Sequence, residues 1–569
     1  MQKFKSLCLS PIIVGFFLSC AAHYATQDED ERFHNVIVLV PDGCGVAHMT
    51  IARWCKGAPL TQDSMDVSLV RTHCANSMIT GSAAAATAFA TGFKSWEDSE
   101  KAKLLSMRPD SLLIPEPRAL PGLEQWRPSA TVLEGARLAG KAVGLVATCR
   151  ISHATPAAYA SHWHSRDDNN IIMEQMVYQG IDVVFGGGFR YLISRDSDVP
   201  GSASRGLRRD GEDLHEVLLA RGNEFITTKD ELLGLDEETR RVWGMFAPNH
   251  MAHDIDRHYL APHEPSLAEM TQKAIEVLSR DPDGFFLLVE GSQVDWSAHD
   301  NDPVGVVTDY LAFDRAVKVA LDFARSPSGQ RTLVVVLPDH GTGGMSLGRE
   351  GVNSYTFTPD KMAGWIKRPL LTAAGVGALI TEDAGDTDPS VIRQIVSEYY
   401  GIDELTAGEM EMILTELADT PYVHLDAVLG PMLSRRAGIG WTTFDHTGTD
   451  VPMFSFGFDR APQTVDNTEI ANLCAQAMGF DLRDLTERLF TDAGVLFDNC
   501  TITIDTAGVE DSMGQLVVER DGKKAQFPLF KNIMVVQDDT VSLEGLTIYS
   551  LKAHKVFLPR QAEMLFNAY

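Results

Sequence analysis

Four short stretches of this sequence each pair an apolar run with carboxylate or imidazole side chains. Asn35-Val36-Ile37-Val38-Leu39-Val40 runs into Pro41-Asp42-Gly43, and Phe285 to Val289 runs into Glu290, with Asp295 and His299 close behind. Thr332 to Leu337 delivers Pro338-Asp339-His340-Gly341, and Asp445-His446-Thr447-Gly448 precedes the apolar run Val451 to Phe456. Carboxylates and imidazoles are the usual ligands of divalent cations, and Asp295 and His299, four residues apart, face one way on a helical turn and can share an ion. Singly, each has a structural reading: Asp42 as the cap of a following helix, any one histidine as a core residue. Several at the ends of apolar runs point together to metal binding. Ser82 adds a hydroxyl at the head of the alanine-rich stretch Ser82 to Thr91. A helix beginning there places the hydroxyl near the positive end of the helix dipole, which favours a phosphate or an alkoxide; the alternative is a plain N-cap.

The elements that position these residues read as an α/β architecture. Asn35–Val40, Ala142–Ala147, Asp182–Phe185, Phe285–Val289, Thr332–Leu337 and Val451–Phe456 have the continuous apolar character of strands buried on both faces. Helical periodicity lies between them, as over Ser266–Arg280 and Val306–Ala324. The alternation predicts a doubly wound, mostly parallel sheet flanked by helices, with ligands at the carboxyl ends of its strands. Residues 33–494 form the expected catalytic domain. Within it, about 345–439 read as a helical insertion covering one edge of the sheet. Residues 495–569 read as a small β-rich module, from runs such as Thr501–Ile504, Gly514–Val518 and Leu546–Tyr549.

Composition narrows the partners. The 569 residues carry 49 Lys+Arg against 78 Asp+Glu, a net charge of −29, which argues against nucleic acid. An anionic substrate then needs a local source of positive charge, which bound metal ions supply. Residues 1–20 read as an export signal: Lys3 and Lys5 precede a short apolar run that contains Pro11. Leu18-Ser19-Cys20-Ala21 resembles a bacterial lipoprotein box with Cys20 as the lipidated residue, the alternative being a plain cut near Ala22. Cys44, Cys55, Cys74, Cys149, Cys474 and Cys500 remain, as disulfides or as buried thiols.

In order along the chain, Pro41-Asp42-Gly43, Gly81-Ser82-Ala83, His153-Ala154-Thr155-Pro156, Glu290-Gly291 through Asp295 to His299, Asp339-His340 and His446-Thr447-Gly448 resemble the alkaline phosphatase family. The resemblance covers roughly residues 35–480 without the helical insertion, and it implies two zinc ions and one magnesium ion. By it, Asp295, His299 and His446 hold one zinc; Asp42, Asp339, His340 and the nucleophile Ser82 hold the second; Asp42, Thr155 and Glu290 hold magnesium; and Arg166 binds phosphate. The implied activity is hydrolysis of small phosphate monoesters through phosphoserine, in an exported protein of the periplasm or outer membrane and a homodimer. Within the superfamily, phosphodiesterase or sulfatase activity is the alternative; outside it, a non-catalytic metal-binding surface lipoprotein. The chain departs from the family in having Gly81 where an aspartate often holds the arginine, and His153 and Trp296 fall where the family varies. His48, His73, His162, His164, His250, His253 and His258 read as surface residues or as residues behind the ligands.

Overall fold

The computed structural model describes residues 33–96 and 126–569, apart from 354, 384–387, 419–422, 459–461, 512 and 538. The expected signal and Cys20 lie outside the described residues. Ten strands form one sheet: β1 (Asn35–Pro41), β2 (Asp66–Arg71), β3 (Ala142–Arg150), β4 (Val183–Gly187), β5 (Glu224–Ile226), β6 (Val242–Ala247), β7 (Phe285–Gly291), β8 (Thr332–Val336), β9 (Val451–Phe456) and β10 (Thr464–Asp466). Their order is β10-β2-β9-β8-β1-β7-β3-β4-β6-β5. Every neighbouring pair is parallel except those made by β9, which runs against both β8 and β2. This is the expected doubly wound sheet.

Each central strand feeds two cores. Val36, Val38 and Val40 of β1 enter one hydrophobic cluster with Phe286 and Leu288 of β7. Ile37 and Leu39 enter the other with Phe285, Leu287 and Val289. Alternate residues leave opposite faces of a strand, so a continuous apolar run is what a strand buried on both sides requires. At about 1.5–3 kcal/mol per buried large apolar side chain, these runs anchor the sheet.

Four helices matter for the site: α1 (Ser82–Thr91), α2 (Ala154–Ala160), α3 (Gln293–His299) and α4 (Pro303–Arg325). All ten residues of α1 are buried, and the small side chains of all but Phe89 let the helix sit close to α2. Asp302 caps α4 by accepting from the Val304 and Gly305 amides, with Pro303 in its first turn.

The segment expected as an insertion contains the helices Pro359–Ile366, Ala373–Asp383, Pro389–Tyr400, Ala407–Ala418 and Leu425–Arg436. Their apolar faces pack on Val304 and Val307 of α4 and on Ile51 and Cys55 of the helix Val46–Lys56. The segment therefore lies on the helical layer above one sheet face and not along a sheet edge, because that is where the complementary apolar stripes are.

Toward the carboxyl end, Thr501–Asp505, Gln515–Arg520, Lys523–Pro528, Ile533–Val536 and Asp539–Ser542 form a five-stranded antiparallel meander, beside a second antiparallel sheet of three short strands. The meander shares its core with the large sheet, the Phe530 ring meeting Trp163 edge-on at 5.1 Å. Lys531 reaches back to Glu212 at 2.7 Å and to the buried Glu174 at 3.4 Å. No disulfide links the cysteines of the described residues, and no described helix is long and apolar enough to cross a membrane.

Candidate metal centre

The parallel registers bring the carboxylates together. Glu290 of β7 lies opposite Val40 on one side and Ala147 on the other, and the Asp42 amide donates to the Gly291 carbonyl at 3.2 Å. Asp42 and Asp339 thus leave the carboxyl ends of β1 and β8 beside Glu290, and all three are fully buried. Gly43 makes the turn after β1 with φ +67°, and its amide donates to Asp339 Oδ1 at 3.0 Å. A Cβ on Gly43 would fall 2.7 Å from Thr342 Oγ1 and 2.8 Å from Asp295 Cβ, so two functional segments converge on a position that only glycine fills.

His446 arrives differently. Because β9 runs backwards, its amino end lies beside the carboxyl ends of its neighbours. The residues before β9 reach the site by a short antiparallel pairing of His446 with Thr342 and Thr447 with Gly341. The His446 ring then stacks on His340 at 3.7 Å.

Two clusters of candidate ligands result: Asp295, His299 and His446, and Asp42, Asp339 and His340. In the first, His299 Nε2 and His446 Nε2 face each other at 3.1 Å, and Asp295 Oδ2 is 3.4 Å from His299 Nε2. The other ring nitrogens are spoken for, His299 Nδ1 by the Phe444 carbonyl and His446 Nδ1 by the Thr80 carbonyl. Such backbone partners fix the tautomer that leaves Nε2 free to bind a cation. In the second cluster His340 Nε2 is 3.1 Å from Asp339 Oδ2 and 3.7 Å from Asp42 Oδ1.

Ser82 completes this second cluster. Gly81 occupies the cap position of α1 and Ser82 is the first helical residue, so its hydroxyl is not used as an N-cap. Its Oγ lies 3.3 Å from His340 Nε2 and 3.5 Å from Asp42 Oδ1, at the positive end of the helix.

The electrostatics of the clusters fit bound dications. Burial, then Asp339, Asp295 and Glu290, push the Asp42 carboxyl far above its usual range. Asp42 Oδ2 and Glu290 Oε1 have no hydrogen-bond partner, and Asp339 Oδ2 has only the His340 imidazole beside it at 3.1 Å. Buried carboxylates facing one another without donors are costly unless cations neutralise them. For Asp295 burial acts upward, but the surrounding His299, His340 and His446 hold the carboxyl well below the usual range.

The other candidate residues lie around Glu290. Burial raises the Glu290 carboxyl, while Thr155, Cys149 and Ser292 pull against it. Thr155 sits fully buried in the first turn of α2. A third cluster joins Cys149, His153 and Glu290. Arg166 is half-buried, and its Nη2 lies 2.9 Å from His153 Nε2, so with Gly81 in place of an aspartate the guanidinium rests on an imidazole.

Sequence reasoning took Cys149 as a disulfide partner or buried thiol and His250 as a surface residue or one behind the ligands, and did not reach Arg150; the structure makes Cys149 a buried thiol and puts His250 behind His153 and Trp296. Arg150 Nη1 lies 2.5 Å from His250 Nε2, and the His250 ring meets Trp296 at 4.3 Å and His153 at 5.6 Å. Among the remaining histidines, His48 and His162 are buried in structural hydrogen bonds, to the Gly45 amide and to Glu134. A fourth acidic group, Glu174, Asp210 and Glu212, is already filled by Arg208 and Lys531.

A sequence model of the family described as alkaline phosphatase matches residues 33–480. Alkaline phosphatase 3 of Bacillus subtilis is 32% identical over 496 residues, spanning 84% of this chain and 96% of its own length. The repressible alkaline phosphatase of Saccharomyces cerevisiae is 29% identical over 525 residues, spanning 84% and 88%. The crystal structure of Thermus thermophilus alkaline phosphatase overlays with a TM-score of 0.67 at 27% identity, covering 79% of this chain and 92% of that one.

Proposed function

The chain belongs to the alkaline phosphatase family, and from that membership we propose that it hydrolyses phosphate monoesters through a phosphoserine formed on Ser82. The observation that carries the proposal is the placement of Ser82 Oγ, freed from capping, against His340 and Asp42 at the positive end of α1. In this reading Asp295, His299 and His446 hold one zinc ion, and Asp42, Asp339, His340 and Ser82 hold a second. Asp42, Thr155 and Glu290 hold a third cation, magnesium by the family resemblance. Such ions, when bound, lower the pKa of a coordinated hydroxyl or water and neutralise charge on phosphoryl oxygens.

The side chains then act in order. Arg166 turns from His153 to the substrate and grips two non-bridging phosphoryl oxygens with its forked donors. Ser82 Oγ attacks phosphorus in line with the ester oxygen; the O–P bond to Ser82 forms as the bond to the leaving alcohol breaks. A water molecule attacks the phosphoserine from the opposite side, returning the hydroxyl and releasing phosphate. The N-terminal amides of α1 favour the negative charge that passes over them. The closed, buried floor of Asp42, Asp339 and Glu290 holds the centre in place while Arg166 moves.

Ser82→Ala tests the reading. We expect metal content near normal, no acid-stable phosphoenzyme after quenching with labelled substrate, and loss of most turnover. Retained turnover would show that the nucleophile is misassigned. Comparing p-nitrophenyl phosphate with its bis ester separates the classes, and faster diester cleavage would favour a phosphodiesterase. Export with Cys20 as lipid anchor, supported by the basic and apolar leader, and assembly as a homodimer belong to the same proposal. Palmitate labelling lost in Cys20→Ser tests the anchor, and sedimentation tests the dimer.

A further inference from the structure

Three large apolar side chains are left in water at the mouth of the centre. A row of imidazoles leads outward from Ser82. The buried His340 lies 3.3 Å from Ser82 Oγ, His446 stacks on it with ring centres 3.7 Å apart, and His299 follows, the last two only partly buried. Two loop segments bracket this outer pair. On one side the Thr80 carbonyl accepts from His446 Nδ1 at 2.9 Å, which holds Met78 and Ile79 close by. A Cβ on Gly448 would fall 2.9 Å from the Met78 carbonyl oxygen and 3.3 Å from Ile79 Cγ1. On the other side the Phe444 carbonyl accepts from His299 Nδ1. Met78 is 73% exposed, Ile79 48% and Phe444 50%. The first segment is fixed by its own turn: the Ile79 amide donates to Ser77 Oγ and the Cys74 amide to the Ser77 carbonyl, both at 3.1 Å. Single apolar residues in water are ordinary, but several held around one opening mark a surface that a ligand covers.

We propose that Met78, Ile79 and Phe444 receive the organic part of the leaving alcohol, so that the enzyme prefers phosphate monoesters of uncharged, apolar alcohols. The inference rests on the phosphatase reading and deepens it. In-line attack by Ser82 sends the ester oxygen away from Ser82 Oγ, along the row of imidazoles toward this rim. Asp445, exposed between Phe444 and His446, adds negative charge there and disfavours alcohols that carry further anionic groups. Binding energy gathered on a part of the substrate remote from phosphorus then speeds the transfer itself.

The test is a series of ethyl, butyl and hexyl phosphate, whose leaving alcohols have nearly the same acidity, hydrolysed by the full chain supplied with zinc and magnesium. The readout is kcat/KM, because the phosphoserine is the same whichever alcohol has left. A fully buried methylene is worth about fourfold and a half-buried one about twofold, so hexyl phosphate should exceed ethyl phosphate by about 16-fold. In Met78→Ser and Phe444→Ser the same ratio should fall to about fourfold or less; taken within each protein, it is free of any general loss of activity. A flat series in the wild type would overturn this inference and leave the phosphatase reading intact, and so would a ratio that both variants keep. A flat series together with variants that convert a dimer to a monomer in sedimentation would assign the rim to a second copy of the chain instead. A chain that hydrolyses none of the three esters would refute the phosphatase reading and this inference with it.

Discussion

Gly43→Ala is the most informative single change, because the structure supplies both its cost and a matched control. Gly43 has φ +67°, and Gly57, the cap after the helix Val46–Lys56, has φ +70°; each lies in the left-handed region. An alanine there costs about 1–2 kcal/mol from backbone sterics alone. The surroundings differ: nothing lies within 4 Å of the Cβ site at Gly57, whereas at Gly43 Asp295 Cβ is 2.8 Å away and Thr342 Oγ1 2.7 Å away. Restoring an ordinary carbon contact of about 3.5–4.0 Å requires Asp295 to retreat by roughly 1 Å. Asp295 is a candidate ligand, and a misplacement of that size costs on the order of 10²-fold in rate. Both variants should therefore lose similar melting temperature from the backbone term, with a further loss for Gly43→Ala. Only Gly43→Ala should lose metal and drop kcat on p-nitrophenyl phosphate. The assays are thermal unfolding, metal analysis and steady-state kinetics on the two proteins in parallel. Wild-type kcat and metal content in Gly43→Ala would refute the convergence argument, and so would an equal kinetic loss in Gly57→Ala.

Three further outcomes follow from other parts of the molecule. Arg166→Ala should lower kcat/KM by about 10²–10³-fold, the scale of one lost transition-state donor, and weaken inhibition by free phosphate at unchanged metal content. Burial pulls His253 down, but Asp309 at 2.7 Å, with Asp256 and Asp300, overrides it and holds the imidazole up at about 9. A raised folded value stabilises the charged form, so the contribution, about 3 kcal/mol at most, is complete below pH 6.5 and disappears as pH rises through 9. Melting curves from pH 6 to 10 should show this fall, and Asp309→Asn should flatten it. Arg208 and Glu174 form a fully buried pair at 2.6 Å. Arg208→Met leaves that carboxylate only Lys531, at 3.4 Å, and should cost about 3 kcal/mol by urea unfolding; a loss below about 1 kcal/mol would contradict the burial argument.

Which parts were legible in the sequence follows from burial. β1, β7 and β8 bury every residue, so their apolar runs are unbroken and the residues that follow them are marked as the site. β2 buries only Ser68 and Val70, and its other four positions look to the surface, which dilutes the pattern. β6 is fully buried, but Gly244 interrupts it. The gap is a packing requirement, since a Cβ there would fall 2.8 Å from Phe185, a neighbour that only the folded chain reveals. β5 and β10 have three residues each, too few to show a period. At the site, Asp295 and His299 are readable from spacing on one helix. Cys149 is not, because its partner Glu290 is 141 residues away and only the sheet register unites them. His250 gives no signal either, being delivered by the chain after β6 to the side of Trp296.

The reversed strand β9 has a consequence for biosynthesis. His446 is the last of the candidate ligands to leave the ribosome, and it is carried just ahead of β9, the strand between β8 and β2. A nascent or prematurely terminated chain carries Asp295 and His299 as an open pair with nothing to close it. The cluster of Asp295, His299 and His446 is therefore complete only once this segment has been made, and any shorter fragment lacks one of its three candidate ligands.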